Sequence, residues 1–409
     1  MLSPSLRTVL LLLALAGAAA FWLARPKPSA IDAAEMARAE SLIAAGRSTV
    51  AEPVLARLAA SDQPEVRLFA YRRWAQILGP QRGDFLGFMD KERRALALDP
   101  DSADLHLGLY MGENVLGHDG AAVNQLEQSI RSAVRLGPLR LGAPWMTPPA
   151  MRALLDRSRG DFAAAAREDA TALAGDPPGG ASARADRLNL IGDQILNHQP
   201  AAAPPPAPRP GAPGVEMILS ARDRAYADLV REDWRGAASV LATLEASPLP
   251  PPMKNTLPVL TRPWLAYALF HAAEAEAARA TIARTPTDCA LCQRIRGRMA
   301  AESGDTQGAE RAFAAAIAAS ADLPFAYVDR GRARLARGDI AGALGDCVVA
   351  ETRSPHFADA PELCGEARLQ RGDAAGAARD FARAGRLAPH WSRNQLLWIK
   401  ALKNAGGKG

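Results

Sequence analysis

A chain of 409 residues with 48% hydrophobic side chains but only 5% aromatics must draw its core mainly from Ala and Leu, which favours close-packed helices over sheets. The 49 basic residues nearly balance 44 acidic ones, and no basic run accompanies the net charge of +5, so a nucleic-acid-binding class is not supported. No phosphate loop, HExxH or GxSxG occurs, and His106, His118, His198, His271, His356 and His390 do not cluster with a nucleophile. No enzyme activity, cofactor, metal or small-molecule substrate is therefore expected.

Thr8 to Ala24 are 17 uncharged, mostly apolar residues, with Arg7 before them and Arg25 and Lys27 after. That length is the lower edge of what spans a bilayer. Phe21, Trp22 and Leu23 carry the run past the small residues Ala18, Ala19 and Ala20, where a signal peptidase would cut. The expectation is one transmembrane helix within a 1–30 anchor segment and a body exported to the periplasm; the alternative is secretion to the periplasm after signal cleavage. Residues 25–30, with two prolines, form a stiff spacer.

Residues 31–198 read as helices in which a 34-residue pattern shows in worn form. Gly46 leads Ala51; Gly83-Asp84 leads Ala95 and Pro100; Gly160-Asp161 leads Ala165, Ala172 and Pro177. Repeats are expected at 32–65, 69–102 and 146–179, a further helical pair at 103–138, a loop at 139–149 and a helix from Ala181 to His198. Residues 199–214 hold seven prolines and no large apolar side chain, which predicts a semi-extended linker. Beyond it, 215–409 reads as one helical domain. Residues 218–251 and 256–289 form two units, the second with Phe270 at its turn, and Ser392 to Asn404 form a closing helix.

Between Ala290 and Trp391 the pattern is sharp. Gly304-Asp305, Gly338-Asp339 and Gly372-Asp373 are 34 residues apart, and Ala309, Ala343 and Ala377 follow at one offset. Gly297, Gly331 and Gly365 lie seven residues before those pairs, and Ala316, Ala350 and Ala384 twelve after. A fixed period of this length marks a stacked helical array. Phe313 and Phe381, with Cys347 in the middle unit, stand where a large residue fills the space beside a close helix contact. On these residues, units 290–323, 324–357 and 358–391 resemble tetratricopeptide repeats. The resemblance implies an all-α solenoid of antiparallel helix pairs, here preceded by one transmembrane helix.

It also implies a concave wall that takes a protein or peptide partner. Carried onto this sequence, that wall holds Arg294, Arg298, Phe325, Val328, Arg332, Leu335, Glu362 and Glu366, with Asp359 and Leu369 in the same register. It runs from basic through apolar to acidic, so it either holds a peptide by charge pairing or is simply solvated. Cys289 and Cys292 form a CxxC that reads as a structural disulfide, as packed thiols or as a redox pair. Cys347 and Cys364 face the core in the family pattern and either bridge or pack there. The resulting expectation is a membrane-anchored scaffold assembling protein complexes at the cell envelope. The alternatives are an accessory protein of envelope polysaccharide or cytochrome biogenesis, and a thiol redox protein.

Overall fold

The computed structural model describes residues 28–136, 147–177, 179–199, 212 and 214–406, and every regular element among them is helical. The expected membrane helix lies outside the described residues. No helix among those described is long and apolar enough to cross a membrane. The loop expected at 139–149 and most of the 199–214 linker also lie largely outside them.

Two compact units emerge, Met1–Ile77 with Asp90–Pro100, and Leu78–Met89 with Asp101–Gly409. In the first, α1 (Ala30–Ala44), α2 (Ser48–Leu58) and α3 (Pro64–Gln76) bury Leu55, Val66, Ala70 and Ile77 together, with Met36 and Trp74 alongside. Ser29 begins α1 by accepting a hydrogen bond from the Asp32 amide at 3.0 Å, and Pro64 starts α3 with its fixed φ. A π-helical turn (Ile77–Gln81) leads into α4 (Phe85–Leu96), which supplies residues to both units.

The second unit continues with α5 (Ala103–Leu116), α6 (Asp119–Leu136), α7 (Pro148–Arg159), α8 (Phe162–Gly175), α9 (Ala181–Leu196), α10 (Gly214–Val230) and α11 (Trp234–Ala246). Two single turns, α12 (Pro251–Lys254) and α13 (Leu257–Leu260), precede α14 (Arg262–His271) and α15 (Ala275–Ala283). Then come α16 (Ala290–Glu302), α17 (Thr306–Ala319), α18 (Phe325–Ala336), α19 (Ile340–Arg353), α20 (Asp359–Gln370), α21 (Ala374–Leu387) and α22 (Ser392–Gly406). This grouping places residues 101–198 with those that follow the proline-rich segment, where the sequence pattern predicts bounds at 31–198 and 215–409. Helix α9 packs on α8 and also on α10, so stacking continues across the proline-rich segment.

The Gly-Asp pairs explain the turns. Gly304, Gly338 and Gly372 have φ of 82°, 86° and 89°, a left-handed conformation that ends one helix and that a Cβ would strain. The following Asp305, Asp339 and Asp373 accept from the amides of Gly308, Gly342 and Gly376 at 2.8, 2.9 and 2.9 Å, capping the next helix. Asp161 and Asp233 do the same for α8 and α11. In 256–289 the expected turn at Phe270 is corrected. Phe270 stays in α14 against the Tyr267 and Ile295 cluster, and the chain turns three residues later, at Ala273 with φ 65°.

The small columns permit close approach. A Cβ on Gly297 would lie 2.6 Å from the Phe313 ring, and one on Gly365 2.7 Å from that of Phe381. Both rings are fully buried, as are Ala316, Ala350 and Ala384.

Within this unit the chain also returns upon itself. The α5–α6 turn meets the start of α16, where the Ala290 amide donates to the Gly117 carbonyl at 3.1 Å. Phe162, at the start of α8, inserts beside Phe325 and Phe357, with ring centroids 6.4 and 6.1 Å away. After α9, His198 Nε2 lies 2.9 Å from Asp359 Oδ2 while its ring stacks on Trp391 at 3.6 Å. The turns of the earlier helices thus cover the starts of α16, α18 and α20.

Candidate functional site

The residues expected on the concave wall lie near one another, but most already have partners. Arg294 donates from Nε to Asp329 Oδ2 at 2.7 Å and sits 5.0 Å over the Phe325 ring. Arg332 donates to Asp359 at 2.7 Å and to Glu362 at 3.2 Å. Glu366 accepts from Arg393. Phe325, Val328 and Leu335 join the apolar cluster around Phe162 and Phe357. Asp359 is buried, and Leu369 packs against the α21–α22 cluster. Arg298 differs: its Nη2 donates to the Tyr267 hydroxyl at 2.6 Å, its Cζ lies 4.2 Å from the centre of that ring, and among the described residues no carboxylate is within ion-pair distance.

Two hollows share this wall. A groove of about 390 Å³ runs between α16, the start of α17 and α18, lined by Arg298, Glu302, Asp329, Arg332, Ala333 and Arg337. A cavity of about 380 Å³ lies between the earlier and later helices of the second unit, with Tyr110, Asp119, Tyr226, Leu260, Trp264 and Phe325 on its walls. Arg298, Asp329 and Arg332 border both. Five of the eight expected groove residues, Arg294, Arg298, Phe325, Val328 and Arg332, therefore line the cavity, whereas Leu335, Glu362 and Glu366 do not.

Sequence reasoning missed the far side of the cavity. There Arg157 of α7 is held between Asp169 of α8 at 2.6 Å and Asp193 of α9 at 2.6 Å, and Arg222 of α10 pairs with Asp223 at 2.8 Å. A signal for such pairs existed. Arg294 and Asp329, and likewise Tyr267 and Glu302, are 35 residues apart, one repeat plus one.

Burial sets the titration of the acids here. It pushes Asp119 up to about 6, against the opposing pull of Arg294, and raises Glu362 to about 7 despite Arg332. Burial also opposes the ionised Asp359, yet His198 and Arg332 together hold that carboxyl below the usual carboxylate range.

Both cysteine pairs are joined. Cys289–Cys292 opens α16, the Cys289 sulfur accepting from the Cys292 amide at 3.1 Å, and Cys347–Cys364 ties α19 to α20. All four side chains are at 0% exposure, so neither bridge presents a sulfur to an attacking thiolate. Among the described residues no group of His, Cys, Asp and Glu has a metal-holding arrangement.

No family model matches the sequence, and neither does any curated protein. Solved structures do resemble the fold. The Cut9–Hcn1 hetero-tetramer of the APC/C matches with 14% identity and a TM-score of 0.41, over 87% of this chain and 59% of that one. The chain thus spans less than two thirds of that protein's length. A tetratricopeptide repeat protein from Parabacteroides merdae matches at 15% identity and a TM-score of 0.39, over 73% of this chain and 99% of the other. The tetratricopeptide repeat domain of P58(IPK) matches at 12% and 0.32, over 93% and 99%.

Proposed function

We propose that this chain is a non-enzymatic, tetratricopeptide-like scaffold, tethered to the membrane by its N-terminal apolar segment, that binds protein partners at the cell envelope. The observation that carries the reading is the groove between α16 and α18. Much of the inner wall is covered by the chain's own α5–α9, but this strip stays open and presents Arg298, Arg332 and Arg337 beside Glu302 and Asp329. An extended segment with acidic side chains fits such a surface, a carboxylate pairing with Arg298 while Arg337, already joined to Glu310 at 2.6 Å, offers its remaining N–H groups. The N-terminal segment and two buried disulfides support an oxidising compartment.

Crosslinking in membranes of the producing cell, followed by affinity capture, tests this. A defined set of envelope proteins should be recovered with the native chain, lost with Ala333→Trp, which fills the groove, and recovered more weakly with Arg337→Ala, which removes a positive charge from its rim and leaves Glu310 paired to Arg334. Identical recovery from both variants would remove the groove from the account, and recovery of no specific protein would remove the scaffold. Arg294→Glu is a poor probe, because it would place a carboxylate against Asp329.

A further inference from the structure

We propose that the cavity between α5–α9 and α10–α20 binds a small organic acid, a monocarboxylate with a flat apolar body, at Arg298. Its volume of about 380 Å³ falls in the range of small-molecule sites, about 300–1,000 Å³. Its walls are of the matching kind. Tyr226 and Trp264 meet edge to face at 5.7 Å, and Leu260, Leu291 and Val328 extend the apolar surface.

The polar groups select the charge. Of the arginines on the wall, Arg157, Arg222, Arg294 and Arg332 are each ion-paired to a carboxylate. Arg298 has only a phenol hydroxyl and the face of the same ring. A guanidinium has five N–H donors in a planar fork that matches a carboxylate, so Arg298 retains most of its capacity for an anion. Arg332 adds a buried Nε with no hydrogen-bond partner. Asp119 and Asp329 border the same space, and a second negative charge on the ligand would be set against them, which disfavours a phosphate dianion relative to a carboxylate.

The site goes beyond the scaffold reading and departs from the expectation that no small molecule is involved; it implies binding and no turnover. It also separates from the groove at the level of single residues. Leu260 lines only the cavity, while Ala333 and Arg337 line only the groove.

Isothermal titration of the full chain with 2-naphthoate and with its neutral counterpart 2-naphthamide tests the proposal. Naphthoate should bind at least about tenfold more tightly than the amide, the loss expected for a charge-assisted pair. Arg298→Gln should abolish that difference. Leu260→Trp, which fills the cavity, should abolish naphthoate binding while partner capture through the groove persists. Equal binding of acid and amide, no binding of either, or naphthoate binding undisturbed by Leu260→Trp would each overturn the site. None of these results would bear on capture of partners by Ala333→Trp or Arg337→Ala, so the two readings fail separately.

Discussion

Gly365 and Gly304 are both columns of the repeat, yet different physics holds each. A side chain on Gly365 would collide with the buried Phe381 ring, whereas Gly304 has nothing within 4 Å and is fixed by its φ of 82°. Gly365→Val should therefore cost about 3 kcal/mol through overpacking, and Gly304→Ala about 1 kcal/mol through backbone strain. Urea unfolding of the two variants checks the ranking, and equal losses would refute the distinction. Glu362 supplies a pH signature. Its pKa rises from about 4 in the unfolded chain to about 7 when folded, so the folded state binds the extra proton. Its contribution is complete below about pH 4 and is lost as pH climbs through about 7. Asp359, held low, acts in the opposite sense, contributing above about pH 4 and failing only in stronger acid. Stability should thus decline between about pH 4.5 and 7.5, and Glu362→Gln should flatten that decline. An unchanged slope would show that Glu362 stays ionised throughout.

At the scale of elements, the disulfides differ in what they constrain. Cys347–Cys364 closes a loop between residues 17 apart and ties two helices, while Cys289–Cys292 spans three residues of one helix start. Replacing the first pair with serine should cost about 3 kcal/mol, and replacing the second distinctly less. Thermal unfolding of both double variants checks this, and a larger loss from the Cys289 and Cys292 pair would contradict it. Helix pairs 290–391 were legible in the sequence because Gly and Ala must recur wherever two backbones approach. The turn in 256–289 was not, because Ala273 carries the left-handed conformation without glycine's signature, and Phe270 occupies the glycine column as an ordinary helical residue. In the earlier helices the contact positions drift. Gly112, for instance, sits against Met89 and Phe88 from outside its own pair, so spacing alone could not fix the units.

Across the second unit as a whole, the feature hidden from the sequence is closure. His198 and Asp359 are 161 residues apart, and Asn197 and Leu387 are 190 apart; contacts that occur once leave no period to read. For that reason the concave wall looked like a free groove from Arg294 to Glu366, whereas Phe162, His198 and the Gly117 turn cover part of it. What stays open, the groove beside Arg298 and the cavity behind it, follows from where those earlier turns land. Phe162 is the side chain to remove, since it packs against both Phe325 and Phe357, whose rings also meet each other at 5.2 Å. Hydrogen exchange on the full chain carrying Phe162→Ala, compared with the native chain, tests this directly. Closure predicts faster exchange at the starts of α18 and α20, near Phe325 and Leu363, with α21 unchanged. Equal protection at those helix starts in both proteins would contradict it.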